Sequence, residues 1–63
     1  MIKSCELIRI SGNIGNYTAH IYNKIDGYYF RVNFIWYSKR EMFSRLRREY
    51  DCIVGREFYK GGK

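Results

Sequence analysis

The 63-residue sequence predicts an α+β domain in which a three-stranded antiparallel meander packs on one helix and a short C-terminal strand follows. Three patterns support this β-β-β-α-β order. Apolar and polar residues alternate on both sides of Asp26-Gly27, a dipeptide typical of hairpin turns. Beyond Ser38 the apolar period changes from that of a strand to that of a helix. The segment from Cys52 to Tyr59 again has strand composition, interrupted by Gly55.

The hairpin is the clearest local signal. With Asp26-Gly27 as a two-residue turn, one face collects mainly apolar pairs: Asn23–Phe30, Ile21–Val32, Ala19–Phe34 and Tyr17–Trp36. This register assigns Phe30, Phe34 and Trp36 to the core. Upstream, the strand around 6–10 extends the meander, with Ile8 opposite Ile21, Ile10 opposite Ala19, and Leu7 on the other face.

The opposite face of the predicted sheet combines aromatic rings with polar and cationic side chains: His20, Tyr22, Lys24, Tyr29, Arg31, Asn33 and Tyr37. On an open sheet such rings can stack nucleic-acid bases while the cations neutralise phosphates. Two other interpretations remain open. Tyrosine is a good strand former whose hydroxyl tolerates water, and the C-terminal segment or a second copy of the chain could cover this face.

The helix is predicted to begin with a capping box formed by Ser38 and Glu41. Its apolar stripe consists of Met42, Phe43, Leu46 and Tyr50. Cations lie outside this stripe, among them Arg40, Arg47 and Arg48. They suit phosphate contacts, although a basic helix is more often simply solvated on its outer side.

Composition indicates one folded domain over residues 1–60, with a frayed tail at 61–63. Hydrophobic residues make up 46% of the chain and aromatic residues 19%, which argues against disorder. The longest apolar run, 34–37, is too short to cross a membrane, so no membrane partner is expected. Because Lys3, Glu6 and Arg9 interrupt the first ten residues, we expect no export signal and a cytoplasmic protein.

The sequence offers little for catalysis or metal binding. Cys5, Cys52 and His20 lack the spacing of zinc ligands, and no nucleophile or phosphate-loop motif is present. We therefore expect no enzyme activity, no cofactor and no metal. The two cysteines could form a disulfide in an exported chain, but reduced, partly buried thiols are expected in the cytoplasm.

Two resemblances bear on function. The segment Tyr37-Ser38-Lys39-Arg40-Glu41-Met42-Phe43, which enters a basic helix after an aromatic strand, resembles short uncharacterised proteins of phages and other mobile elements. The β-β-β-α layout is similar to the arm-type DNA-binding domains of tyrosine integrases. That similarity implies binding through the sheet, which those domains place in the major groove, and it concerns architecture alone.

A net charge of +6 favours a polyanionic partner. We expect a small non-enzymatic nucleic-acid-binding accessory protein of a phage, plasmid or bacterial chromosome. The candidate binding residues are Tyr22, Lys24, Tyr29, Arg31, Arg40, Arg47 and Arg48. One alternative is a protein-interaction module, such as a phage inhibitor that docks an acidic protein. Another is a structural homodimer or larger homo-oligomer joined through an edge strand. DNA and RNA, single and double strands, all remain open.

Overall fold

The computed structural model describes residues 3–60, with Lys60 described by its backbone alone. The elements in chain order are β1 (Cys5–Asn13), β2 (Asn16–Asn23), β3 (Tyr28–Ile35), α1 (Lys39–Glu49), β4 (Cys52–Ile53) and α2 (Arg56–Lys60). The strands form one sheet in the order β3-β2-β1-β4, antiparallel except for the β1–β4 pair. This architecture confirms the predicted meander, helix and short fourth strand. The predicted tail, 61–63, lies outside the described residues.

The hairpin of β2 and β3 has the predicted faces but a different register. Ile21 lies opposite Phe30, and not opposite Val32, so the pairing is shifted by two residues. The cause is Asn23, whose side-chain oxygen accepts hydrogen bonds from the backbone N–H groups of Ile25 and Asp26, both at 2.9 Å. This Asx-type cap makes a loop of 24–27 in place of the predicted two-residue turn. Because side chains alternate with a period of two, the shift leaves the inward and outward faces unchanged.

A bulge in β1 corrects the prediction for the first strand. Leu7 pairs with Ile21 and Ile10 pairs with Ala19, so one extra residue is accommodated between Leu7 and Arg9. Leu7 is therefore buried, whereas Ile8, which was expected to face the core, is 46% exposed. Arg9 pairs with His20 on the outer face, as in the predicted register, because the bulge shifts only the residues that precede it.

The helix α1 begins as predicted. The Ser38 hydroxyl accepts from the Glu41 backbone N–H at 3.1 Å, and the Glu41 carboxylate accepts from the Ser38 N–H at 3.0 Å. This reciprocal box satisfies two donors that the first helical turn leaves open. The buried side of α1 packs on the inner face of the sheet, and the core consists of Cys5, Leu7, Tyr17, Ala19, Ile21, Phe34, Met42, Phe43, Leu46 and Cys52.

Trp36 does not belong to this core. Its side chain is 87% exposed and its φ is 69°, in the left-handed region. In the observed register Trp36 lies beyond the last paired residue of β3, Ile35, so the strand no longer directs its side chain inward. The prediction that Trp36 is a core residue is wrong, whereas those for Phe34, Phe43 and Leu46 agree with the structure.

The C-terminal segment is only partly a strand. β4 pairs Cys52 with Cys5 and Ile53 with Glu6, and the strand stops before Gly55. The chain then turns into α2, in which the Phe58 N–H donates to the Gly55 carbonyl at 3.2 Å. This turn allows Phe58 to pack against Phe43 of α1, a contact that supports helix over the strand predicted for residues 56–59.

Candidate nucleic-acid interface

The structure divides the predicted binding residues between opposite sides of the domain. Tyr22, Tyr29 and Arg31 project from the outer face of the sheet, away from α1. Arg40, Arg47 and Arg48 are exposed on α1, which covers the inner face. The two sets therefore cannot form one continuous contact surface through the body of the domain.

A row of three basic side-chain positions crosses the outer face. Arg9 of β1 pairs with His20 of β2, and His20 pairs with Arg31 of β3. Neighbouring strands lie about 4.8 Å apart, so the three backbone positions span about 10 Å. The described ion pairs, Lys3–Asp51 and Arg45–Glu49, leave both arginines of the row without a carboxylate partner within residues 3–60.

The His20 side chain has one hydrogen-bond partner and two cationic neighbours. Its Nε2 lies 2.9 Å from the Ser11 hydroxyl. Partial burial, and then the positive charges of Arg9 and Arg31, lower the pKa of His20 below its usual 6.5. At neutral pH the imidazole is therefore mostly uncharged, and the two arginines supply most of the charge of the row.

Two tyrosines lie next to this row. Tyr22 and Tyr29 face each other across the hairpin, with ring centroids 4.6 Å apart and planes inclined at 43°. Tyr29 is 71% exposed, while Tyr22 is half-buried beneath this contact. Tyr29 is consequently the more accessible ring for stacking, and Tyr22 supports it. Arg9, His20, Tyr22, Tyr29 and Arg31 are together called the sheet site.

The sheet site includes an open recess of about 360 Å³ between the cationic row and Tyr29. It is lined by Ile8, Arg9, His20, Tyr29, Phe30 and Arg31. Glu6 of β1 is paired with Tyr22 of β2 and is an acidic residue at the edge of this surface. The arrangement can accept an anion at the arginines and a planar group against the exposed tyrosine.

Three residues predicted for the outer face require comment. Asn33 lies there, and its side-chain amide joins β2 and β3. It donates to Asn16 Oδ1, the Tyr17 carbonyl and Thr18 Oγ1 at 3.0–3.2 Å.

Lys24 does not lie on the outer face, where the sequence pattern predicts it. It lies in the loop after β2, where its backbone N–H donates to the Ser4 carbonyl, and it is not paired with Tyr29. The predicted placement of Lys24 is therefore wrong.

Tyr37 also departs from the prediction. It is half-buried on the helix side, edge-on to Phe34 with ring centroids 5.2 Å apart. Its hydroxyl accepts a hydrogen bond from Arg45 at 2.6 Å. Because the chain turns at Trp36, the alternation of β3 does not continue to Tyr37.

On the helix side, Arg40 and Arg47 border a groove between α1 and α2. The groove encloses about 510 Å³ and is lined by Lys39, Arg40, Phe43, Arg47, Phe58 and Tyr59. The Arg47 guanidinium lies 5.7 Å from the centre of the Tyr59 ring, a cation–π geometry. These six residues are called the helix groove.

Arg48 lies outside the helix groove. It lines a separate open recess of about 390 Å³ together with Trp36, Tyr37, Glu41, Ser44 and Arg45. These six residues are called the tryptophan recess. Glu41 is engaged in the helix cap and Arg45 in an ion pair with Glu49 at 2.9 Å. Arg48 therefore differs from Arg47 in its surroundings although the two are adjacent in sequence.

Sequence reasoning missed Arg9, Trp36 and Tyr59 as surface contributors. Arg9 faces outward opposite His20 in the predicted register as well, since Ile10 lies opposite Ala19 in both, but only the structure shows the recess that Arg9 lines beside Tyr29. Tyr59 depends on the turn that starts α2. The left-handed backbone of Trp36 has no local sequence marker, since such conformations favour glycine or asparagine.

Comparison of the chain with protein-family models, curated proteins and solved structures finds no match. Within residues 3–60, no cluster of three or more His, Cys, Asp or Glu side chains is arranged to hold a metal ion. None of the described helices is long and apolar enough to cross a membrane. The chemistry of the surface is therefore the basis for inferring function.

Proposed function

We propose that this chain is a small, non-enzymatic nucleic-acid-binding protein that acts in the cytoplasm and holds a single-stranded segment of DNA or RNA on the sheet site. The observation that carries the proposal is the row Arg9–His20–Arg31 beside the tilted ring pair Tyr22–Tyr29. Phosphates would contact the arginines, and a base would stack on Tyr29.

The charge distribution supports a polyanionic ligand. Arg9 and Arg31 have no ion-pair partner within residues 3–60, so they lose no internal salt bridge when a phosphate binds. The chain carries twelve Lys and Arg against six Asp and Glu, which favours the approach of anions from a distance. Arginine also matches phosphate geometry better than lysine does.

The aromatic geometry favours a single strand over a duplex. A base can stack on a protein ring only when it is not already stacked between its neighbours within a double helix. Tyr29 presents an exposed ring on an open sheet, and its contact with Tyr22 limits the orientations that the ring can adopt. Such a platform contributes about 1–3 kcal/mol per stacked base.

A protein partner is the second candidate, and the tryptophan recess favours it. Trp36 is highly exposed, and the recess combines it with Tyr37, Arg45 and Arg48. Tryptophan, tyrosine and arginine are the residue types enriched in binding hot spots. In this alternative an acidic protein docks at Trp36, and Trp36→Ala abolishes its capture while leaving oligonucleotide binding unchanged.

Fluorescence anisotropy with a labelled single-stranded oligonucleotide tests the proposal. Binding should weaken as salt rises, with a logarithmic slope of about −0.7 for each phosphate neutralised on a single strand. Tyr29→Ala should weaken binding by about 1–3 kcal/mol, and Arg31→Gln should make the salt slope shallower.

Tyr28→Ala is the matched control. Tyr28 is adjacent in sequence and also exposed, but it lies on the inner-face side of β3, where its ring is 5.8 Å from that of Phe30. This variant should bind as the unaltered chain does. Absence of salt-sensitive binding, or equal losses from Tyr28→Ala and Tyr29→Ala, would remove the sheet site from consideration.

A further inference from the structure

The helix groove repeats the chemistry of the sheet site with different residues. Its cations, Lys39, Arg40 and Arg47, lie beside the rings of Phe58 and Tyr59. None of the side chains that line the groove is acidic. Both ion pairs found within residues 3–60 involve other residues, so Arg40 and Arg47 also remain available to an external anion.

The two surfaces lie on opposite sides of the fold. The inner face of the sheet packs on Met42, Phe43 and Leu46 of α1, which separates the sheet site from the outer side of the helices. The Cα atoms extend over 30 × 20 × 17 Å, and the core lies between the two surfaces. No residue belongs to both surfaces.

From this arrangement we infer that the helix groove is a second nucleic-acid site, and that one copy of the chain joins two separate single-stranded segments. The inference rests on the proposed function of the sheet site. Each surface contains its own cations and its own exposed ring, so each is sufficient to hold a segment alone. Because the two surfaces lie on opposite sides of the fold, a chain that binds one strand at each surface joins the two strands.

Energy transfer between two oligonucleotides measures bridging directly. One population of about six nucleotides, at the short end of known site sizes, carries a donor dye, and a second population carries an acceptor. The unaltered chain should produce energy transfer at limiting protein and bind two oligonucleotides per chain. A strand that wraps around the whole domain would instead give one oligonucleotide per chain and no energy transfer, and this result would overturn the inference.

Two adjacent arginines provide the matched comparison. Both are exposed on α1, but only Arg47 lines the helix groove, whereas Arg48 lines the tryptophan recess. Arg47→Gln, and more completely Arg40→Gln with Arg47→Gln, should reduce the stoichiometry to one and remove energy transfer. Arg48→Gln removes the same charge and should preserve both. Circular dichroism verifies that all variants remain folded.

The remaining outcomes separate the two hypotheses. Arg9→Gln with Arg31→Gln should also abolish energy transfer while one oligonucleotide stays bound at the groove. If energy transfer survives Arg40→Gln with Arg47→Gln and sedimentation reports a dimer, bridging arises from two sheet sites and the inference is wrong. If the unaltered chain binds no oligonucleotide, the proposed function itself fails. Binding at the sheet site without a second oligonucleotide overturns the bridge alone.

Discussion

The backbone N–H of Trp36 donates to the carbonyl of Gly15 at 2.6 Å, which ties the end of β3 to the turn between β1 and β2. At this junction Trp36 adopts a φ of 69°, a conformation that is uncommon for a bulky side chain. The local strain is maintained while the largest ring of the protein remains in solvent. Such strain is more frequent at binding surfaces than elsewhere, which is consistent with a role for the tryptophan recess in recognition.

The first prediction compares Phe34 with Trp36. Phe34 is buried against the helix side, so Phe34→Ala should cost about 3–5 kcal/mol and unfold much of so small a domain. Trp36→Gly removes an exposed ring and suits the left-handed backbone, so the free energy of unfolding should change by less than about 1 kcal/mol. Thermal unfolding followed by circular dichroism measures both. Unfolding by Trp36→Gly alone would mean that the indole contributes to the core.

The second prediction concerns Gly12, whose φ is 99°. A Cβ at this position would overlap the backbone carbonyl oxygen of Asn16, across the β1–β2 turn. Gly12→Ala should therefore combine backbone strain of about 1–3 kcal/mol with displacement of the turn. Gly27 also has a positive φ, 73°, but a Cβ there meets only the Tyr22 hydroxyl at 4.0 Å. Gly27→Ala should cost only about 1–2 kcal/mol, and equal denaturant midpoints for the two variants would contradict this difference.

The fold was largely predictable because the patterns that indicate it do not depend on the exact strand register. The two-residue shift caused by Asn23 moves every pair in the hairpin, yet Ala19, Ile21 and Phe34 remain on the core face. The capping box at Ser38 could be recognised because both of its hydrogen bonds are local. The bulge near Ile8 depends instead on contacts between distant segments, which single-strand alternation does not encode.

Part of the candidate site could be predicted from the sequence pattern, although Arg9 was missed and Lys24 was misplaced. The period of two places Tyr22, Tyr29 and Arg31 on one exposed face, and the helical period exposes Arg40 and Arg47 on α1. The alternation of the strands also predicts that α1 covers the apolar face, which separates the two sets. Neither period predicts the groove that Arg40 and Arg47 line together with α2, because that groove depends on the turn after Gly55.

The third prediction concerns the neighbouring thiols Cys5 and Cys52, which are paired on β1 and β4 and are both free and buried. Burial, followed by the proximity of Cys5, raises the pKa of Cys52 from 9.0 to about 12. Because the thiolate is the reactive form, a thiol reagent near neutral pH should label the folded protein slowly and the denatured protein rapidly. Fast labelling of Cys52 without denaturant would contradict the packing of β4.

The same pKa shift predicts a dependence of stability on alkaline pH. The folded state keeps the Cys52 thiol protonated, whereas the unfolded thiol ionises above its ordinary pKa of 9.0. The contribution of Cys52 is therefore fully present below pH 9.0 and is lost as pH rises from there towards about 12. Cys52→Ala should be less stable at neutral pH but lose less stability above pH 9.0.

The fourth prediction uses His20, the only histidine of the chain. Its pKa in the folded state is lowered by partial burial and by Arg9 and Arg31. The unfolded state therefore binds the proton first, and stability should decrease as pH falls from about 6.5 towards the folded pKa. A phosphate between the two arginines would compensate their charge and favour the protonated imidazole, so an oligonucleotide should raise the pKa of His20.

Nuclear magnetic resonance titration can follow the single imidazole with and without a saturating oligonucleotide. Proton uptake on binding requires the affinity to increase as pH falls from about 7.5 to about 5.5, the range in which histidine usually titrates. His20→Gln should remove this pH dependence and keep the salt dependence, because Arg9 and Arg31 remain in the row. A pKa of His20 that is the same in the free and bound protein would show that the ligand does not contact the cationic row.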